Sequence, residues 1–166
     1  MGTRAREEEG FGLIELLIAL IVLSIGILAL FGAFNAGAIA IRRASNVSTA
    51  AALADQQMEG FRAMTYASIG LVAPIPTSGG WMRDSEATAP ASQVTVASCA
   101  GTTTNQCTPS RTFTGPDGHS YELDTYVVLD TAQPGVTLKK VTITVYDGGV
   151  TGKRLSRETS SFAQGF

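Results

Sequence analysis

Charge is scarce in this chain: 16% of its 166 residues are Asp, Glu, Lys or Arg, and between Leu16 and Ile41 there are none at all. Lysine occurs only at Lys139, Lys140 and Lys153, and twelve basic residues against fourteen acidic ones leave a formal net charge of -2. No basic footprint for nucleic acid can be assembled from that set. The Lys139-Lys140 pair reads as the solvated start of a strand. The single histidine, His119, sits beside a Gly-Pro-Asp-Gly turn and reads as an exposed loop residue, so a Ser-His-Asp set cannot be built around it. Two cysteines with one imidazole are a poor zinc donor set. The carboxylates are dispersed, no glycine-rich phosphate loop follows a strand, and Asp117-Gly118 lacks the ligand series of a calcium loop. The expectation is a protein that is not an enzyme and takes neither cofactor nor metal.

Proline is missing from Phe11 to Ala67, which removes the commonest helix breaker from the first third of the chain. What is there instead is the uncharged run from Leu16 to Ile41, twenty-six residues dominated by Leu, Ile, Ala, Gly and Phe. As a helix it would extend roughly 39 Å at about 1.5 Å per residue, enough to cross the ~30 Å hydrocarbon layer of a bilayer. A conventional secretory signal, cleaved after Ala38 or Ala40, fits poorly: its apolar core would be shorter, and Arg4 and Arg6 are followed by Glu7, Glu8 and Glu9. Glu15 interrupts the apolar residues that begin at Phe11. A carboxylate in hydrocarbon costs on the order of 2.5 to 3.5 kcal/mol, so Glu15 either sits at headgroup level or finds a partner.

The sequence Gly10-Phe11-Gly12-Leu13-Ile14-Glu15-Leu16-Leu17-Ile18-Ala19-Leu20, continuing Ile21-Val22-Leu23-Ser24-Ile25-Gly26, resembles the class III signal of type IV pilins and type II secretion pseudopilins. The resemblance implies cleavage after Gly10 by prepilin peptidase, N-methylation of Phe11, and a role for Glu15 in recognition and assembly. A cationic amine at Phe11 of one subunit pairing with Glu15 of its neighbour would offset two desolvation penalties and fix the axial register. It further implies a pilin-like α+β fold, with a long N-terminal helix packed against a small antiparallel β-sheet. The implied partners are other pilins or pseudopilins through helix packing, an inner-membrane assembly platform, and the lipid bilayer before assembly. Localisation would be the inner membrane as a single-pass protein with its N-terminus cytoplasmic before processing, although Arg42-Arg43 beyond the span would, by charge count alone, favour the opposite orientation. Leu53 to Met64 and Leu138 to Val145 are similar to the PilV-type minor pilins, which points to a minor pilin that helps initiate or modify a type IV pilus in adhesion, motility or DNA uptake. Alternatives are a minor pseudopilin of a type II secretion system and a binding module at a filament tip.

The expected organisation is a leader over 1–10, a membrane half of the helix over 11–41, an amphipathic half over 42–67, a connection over 68–92 and a sheet domain over 93–166. Val47, Ala50 or Ala51, Ala54, Met58, Phe61 and Met64 recur at helical spacing and mark the buried stripe. Gly26, Gly32, Gly37 and Gly60 soften the helix, with Gly32 the expected point of flexibility. Cys99 and Cys107 enclose a loop that no regular element would form. In an oxidising compartment they would close a disulfide, for which chain entropy gives roughly 2.6 kcal/mol; a reduced, inert pair is the alternative. Trp81, in the proline- and glycine-rich connection, has two readings, core plug or subunit contact. Strands are expected at 93–98, 112–114, 120–130, 136–146 and 153–162, the last three as a meander, with a bulge near the two lysines. Tyr121, Leu123, Val127 and Leu129 of one strand, and Leu138, Val141, Ile143 and Val145 of the next, would face the helix, leaving a solvated face rich in threonine.

Overall fold

The structure, a computed structural model, describes residues 12–87, 92–99, 105–130, 137–148 and 152–164. The expected leader over 1–10 with its cleavage position Gly10, the methylation position Phe11, and Val136 lie outside the described residues. With no proline and many strong helix formers, Leu13–Arg62 forms one continuous α-helix, α1, of 50 residues. It runs unbroken through Gly32, around which nothing lies within 4 Å of a notional Cβ. The chain divides into two compact units, Met1–Arg43 and Ala44–Phe166.

In the first unit every described side chain is exposed. In the second, Ala50, Ala54, Met58 and Phe61 are buried, as the spacing predicts, while Val47 is 45% exposed and Met64 packs at the margin of the core. The helix ends at Arg62, short of the expected residue 67, and a 3-10 turn follows at Tyr66–Ser68. Lys139 Nζ donates to the carbonyls of Tyr66 and Ile69, both at 2.7 Å, and ties the segment that follows the helix to the sheet. Lys139 is therefore buried, 7% exposed, and the reading of it as solvated is corrected. Its stem crosses apolar surface while its ammonium finds carbonyl partners.

Six strands follow: β1 at Leu71–Val72, β2 at Thr95–Val96, β3 at Ser110–Thr114, β4 at Ser120–Asp130, β5 at Leu138–Asp147 and β6 at Arg154–Ala163. β1 and β2 pair in parallel; β3 to β6 form a four-stranded antiparallel sheet in sequence order. The architecture is the α+β, pilin-like arrangement expected, in which the long helix packs its later part on a small antiparallel sheet. The meander has four strands, since β3 joins it across the turn at Gly115–Gly118, where Gly118 has φ +72°. The expected strand at 93–98 shrinks to two residues, because the side-chain oxygen of Gln93 accepts the Val127 amide at 2.9 Å and the Val94 amide bonds the Val127 carbonyl.

Register across Lys139 and Lys140 is regular; the irregularity falls between Val145 and Tyr146 instead. With period 2 intact, Leu138 points away from the face shared by Val141, Ile143 and Val145. Tyr121, Leu123 and Val127 are fully buried on that helix-facing side, whereas Leu129, beyond the reach of α1, is 52% exposed.

The second face of the sheet is not solvated. Thr142, Thr144, Tyr126 and Tyr146 are buried under a strap formed by the 3-10 turns Gly80–Arg83 and Ser85–Ala87. Trp81, 2% exposed, is the strap's apolar anchor, which settles its two readings in favour of the core: its ring lies 4.8 Å from that of Tyr126 and its Nε1 donates to the Thr125 carbonyl at 3.2 Å. The second unit thus has three layers, helix, sheet and strap.

Candidate functional site

Two regions carry the groups that matter. The first is the start of α1. The amides of Glu15 and Leu16 both bond the Gly12 carbonyl, at 2.9 and 3.2 Å, so the helix is established by its first turn. Glu15 stands in that turn, where a carboxylate is favoured by the helix dipole, and its side chain is exposed and makes no hydrogen bond to any described residue. Around it Leu13, Ile14, Leu16, Leu17 and Ile18 are 53–81% exposed. Burying them would remove on the order of 1.5 to 3 kcal/mol each from contact with water, so this surface requires lipid or other helices. Among the described residues α1 is the one helix long and apolar enough to cross a membrane.

The second region joins α1 to the sheet and the cysteine loop. Cys99 and Cys107 are bonded, with Cα atoms 5.7 Å apart, so the oxidised reading holds. The bridge presents Gln106 to α1, where its Nε2 donates to the Gln57 carbonyl at 2.5 Å. Gln57 returns the contact, donating from Nε2 to the Gln106 carbonyl at 2.8 Å. Gln57 Oε1 accepts from Arg111 of β3. A Cβ at Gly60 would collide with the amide of Gln106, so this glycine gives access to the loop rather than suppleness to the helix.

Charge is concentrated under the strap. Arg83 pairs with Glu122 at 2.7 Å and approaches Asp124 at 3.5 Å, while its guanidinium lies 3.7 Å from the centre of the Tyr146 ring. Asp84 accepts from Arg157 of β6 at 3.1 Å, and Glu86 pairs with Lys140 at 2.9 Å. Burial alone would raise Asp84, but the Glu86 amide, Arg157 and Thr144 outweigh it and hold the carboxyl below its usual range. Asp124 goes the other way: burial and the charge of Glu122 push it up to about 6 against the opposing pull of Ser110 and Arg83. These pairs fasten the strap to both central and edge strands.

His119 is part of a smaller cluster at the β3–β4 turn rather than a free loop residue. Its Nε2 contacts Asp147, its backbone amide donates to Asp117, and Tyr121 donates to Asp117 at 2.5 Å. Burial, with Asp117 adding to it, pushes the Tyr121 phenol up to about 12. Among the described residues no group of three or more His, Cys, Asp or Glu could hold a metal ion.

Sequence reading anticipated the Cys99–Cys107 bridge but missed Gln57, Gln106, Arg83 and Asp84. Gln57 was visible as a polar residue inside the Ala54, Met58, Phe61 stripe, where a buried amide must have partners. The strap's charges gave no periodic signal.

Residues 6–31 match the sequence family described as Prokaryotic N-terminal methylation motif. No curated protein and no solved structure matches the chain. The matched segment spans Gly10, Phe11 and Glu15 and runs into the exposed apolar surface of α1.

Proposed function

We propose that the chain is a non-catalytic subunit of a pilus-like filament, specifically a minor pilin that helps initiate or modify a type IV pilus. The observation that carries this reading is the coincidence of the methylation motif over residues 6–31 with a helix whose described apolar side chains through Ile41 are exposed, with no covering partner among the described residues. In this reading prepilin peptidase cleaves after Gly10, the new amino group of Phe11 is methylated, and the chain waits in the inner membrane with its disulfide-bonded second unit outside the cytoplasm. An assembly platform then moves the apolar helix from lipid to the helices of neighbouring subunits. The exchange is nearly neutral in hydrophobic free energy, because both surroundings are apolar, so polar pairing decides register. Glu15, exposed and without a hydrogen-bond partner among the described residues, supplies the carboxylate that the cationic Phe11 amine of a neighbour would meet.

The test is the intact mass and N-terminal sequence of the protein recovered from membranes, before and after reduction. A chain beginning at N-methylated Phe11 is expected, about two daltons lighter before reduction because one disulfide replaces two thiols. A chain still beginning at Met1 would overturn the processing reading. Glu15→Ala should leave the second unit folded and remove the chain from filaments; undiminished incorporation would overturn the pairing argument.

A further inference from the structure

The helix-facing side of the sheet carries unbalanced charge at both edges. At one edge strand, β3, Arg111 is half-buried, rests 4.2 Å from the centre of the Phe113 ring, and donates to the neutral amide of Gln57. It forms no ion pair with any described residue, and its Nε is buried without an acceptor. A guanidinium keeps its charge even where burial lowers its pKa, as it does here. At the other edge, β6, Glu158 lies beside Asp55 and Glu59 of α1, with Arg62 as the one cation among them. Burial and repulsion from the Asp55 and Glu59 carboxylates raise Glu158, and its Oε2 is buried with no hydrogen-bond partner among the described residues. Among the described residues, one edge has a cation without an anion and the other has three carboxylates to one guanidinium.

We propose that these two edges are complementary docking surfaces, Arg111 of one copy of the chain receiving the Glu158 edge of a second copy beside it. The proposal rests on the reading of the chain as a filament subunit and names the contact between its exported units. Register supports it. Arg111 pairs with Leu123, Leu123 with Val145, and Val145 with Ser156, two residues before Glu158 on the same face. The two charges therefore lie about 7 Å apart along the strand direction and about 15 Å apart across the sheet. A neighbour placed side by side with a small axial offset brings them together. Because the two surfaces differ, the contact is heterologous, and repetition gives an open helical series rather than a closed pair. Glu59 and Asp55, both exposed, extend the anionic surface along α1 and allow the guanidinium more than one acceptor.

Charge reversal in the full-length, membrane-held chain tests this, with formaldehyde-crosslinked multimers as the readout. Arg111→Glu and Glu158→Arg should each lower multimer yield about tenfold, as expected when a docking pair becomes a like-charge contact. The double variant should recover it, and high salt should weaken the wild-type series. Glu158→Gln separates assembly from folding: relief of crowding with Asp55 should leave thermal unfolding no lower than wild type while multimers decline. Single reversals without effect, or no recovery in the double variant, would overturn the edge contact alone. A wild-type chain that forms no multimers would overturn both this contact and the filament reading, and multimers made only with a different subunit would overturn the self-contact.

Discussion

Leu16, Ile21, Leu28 and Phe34 in the first unit are 55–77% exposed, whereas Leu71, Leu123, Ile143 and Val145 in the second are fully buried. The residue types are nearly the same, so hydrophobicity alone does not say what a segment packs against. What differs is the polar framework around them. The second unit surrounds its apolar residues with a hydrogen-bonded sheet, a disulfide loop and a charged strap, and so makes its own interior. The described part of the first is a helix, whose backbone bonds are satisfied internally and whose side chains must find an apolar medium elsewhere.

The sharpest way to break the second unit's self-sufficiency is Trp81→Ala, which opens a cavity under the strap and removes the Nε1 bond to Thr125. A loss of about 3–5 kcal/mol is expected in denaturant unfolding followed by pulse proteolysis, with the helicity of the first unit unchanged. Gly60→Val should displace Gln106 and break its exchange with Gln57, at about 1–2 kcal/mol, with hydrogen exchange rising around Gln57 and Gln106. Asp124→Asn sharpens the comparison through pH. Its folded pKa of about 6 lies above the ordinary carboxylate value, so the native state holds the proton more tightly; the resulting stabilisation is full below the unfolded pKa and is lost as pH rises through about 6. Asparagine should abolish that decline, a difference on the order of 1–2 kcal/mol on the alkaline side, read as flatter thermal unfolding against pH. Leu28→Ala is the converse control: a Leu→Ala change that would be severe in a core should shift unfolding of the second unit by less than about 0.5 kcal/mol.

Much of this contrast was legible beforehand. A charge-free run of twenty-six residues without proline can hardly be anything but a helix, and the Ala50, Ala54, Met58, Phe61 spacing marks where it becomes one side of a core. Alternation in β4 and β5 identified the central strands. It misled at the second face, because alternating Thr and Tyr reads as solvent-facing unless something covers it, and the cover is a stretch of 3-10 turns held by Trp81 and ion pairs with no repeat to detect. The bulge expected near the two lysines is not there: the strand keeps its register across them and buries Lys139 instead. Gly60 and Gln106 are 46 positions apart in the sequence, and no local pattern announces that one leaves room for the other.

The placement of Trp81 also has a use in the laboratory. It is the chain's one tryptophan, and all four tyrosines, at 66, 121, 126 and 146, belong to the second unit, while the first has phenylalanine as its only aromatic residue. Near-ultraviolet absorption and emission from this protein therefore come almost entirely from the part that makes its own interior. An indole sealed beneath the strap and stacked near Tyr126 will emit as a buried fluorophore and shift to the red when the strap lifts, while transfer of the first unit between detergent, lipid and neighbouring helices leaves the signal silent. The protein carries its own optical probe of one unit, blind to the other, without any label being added.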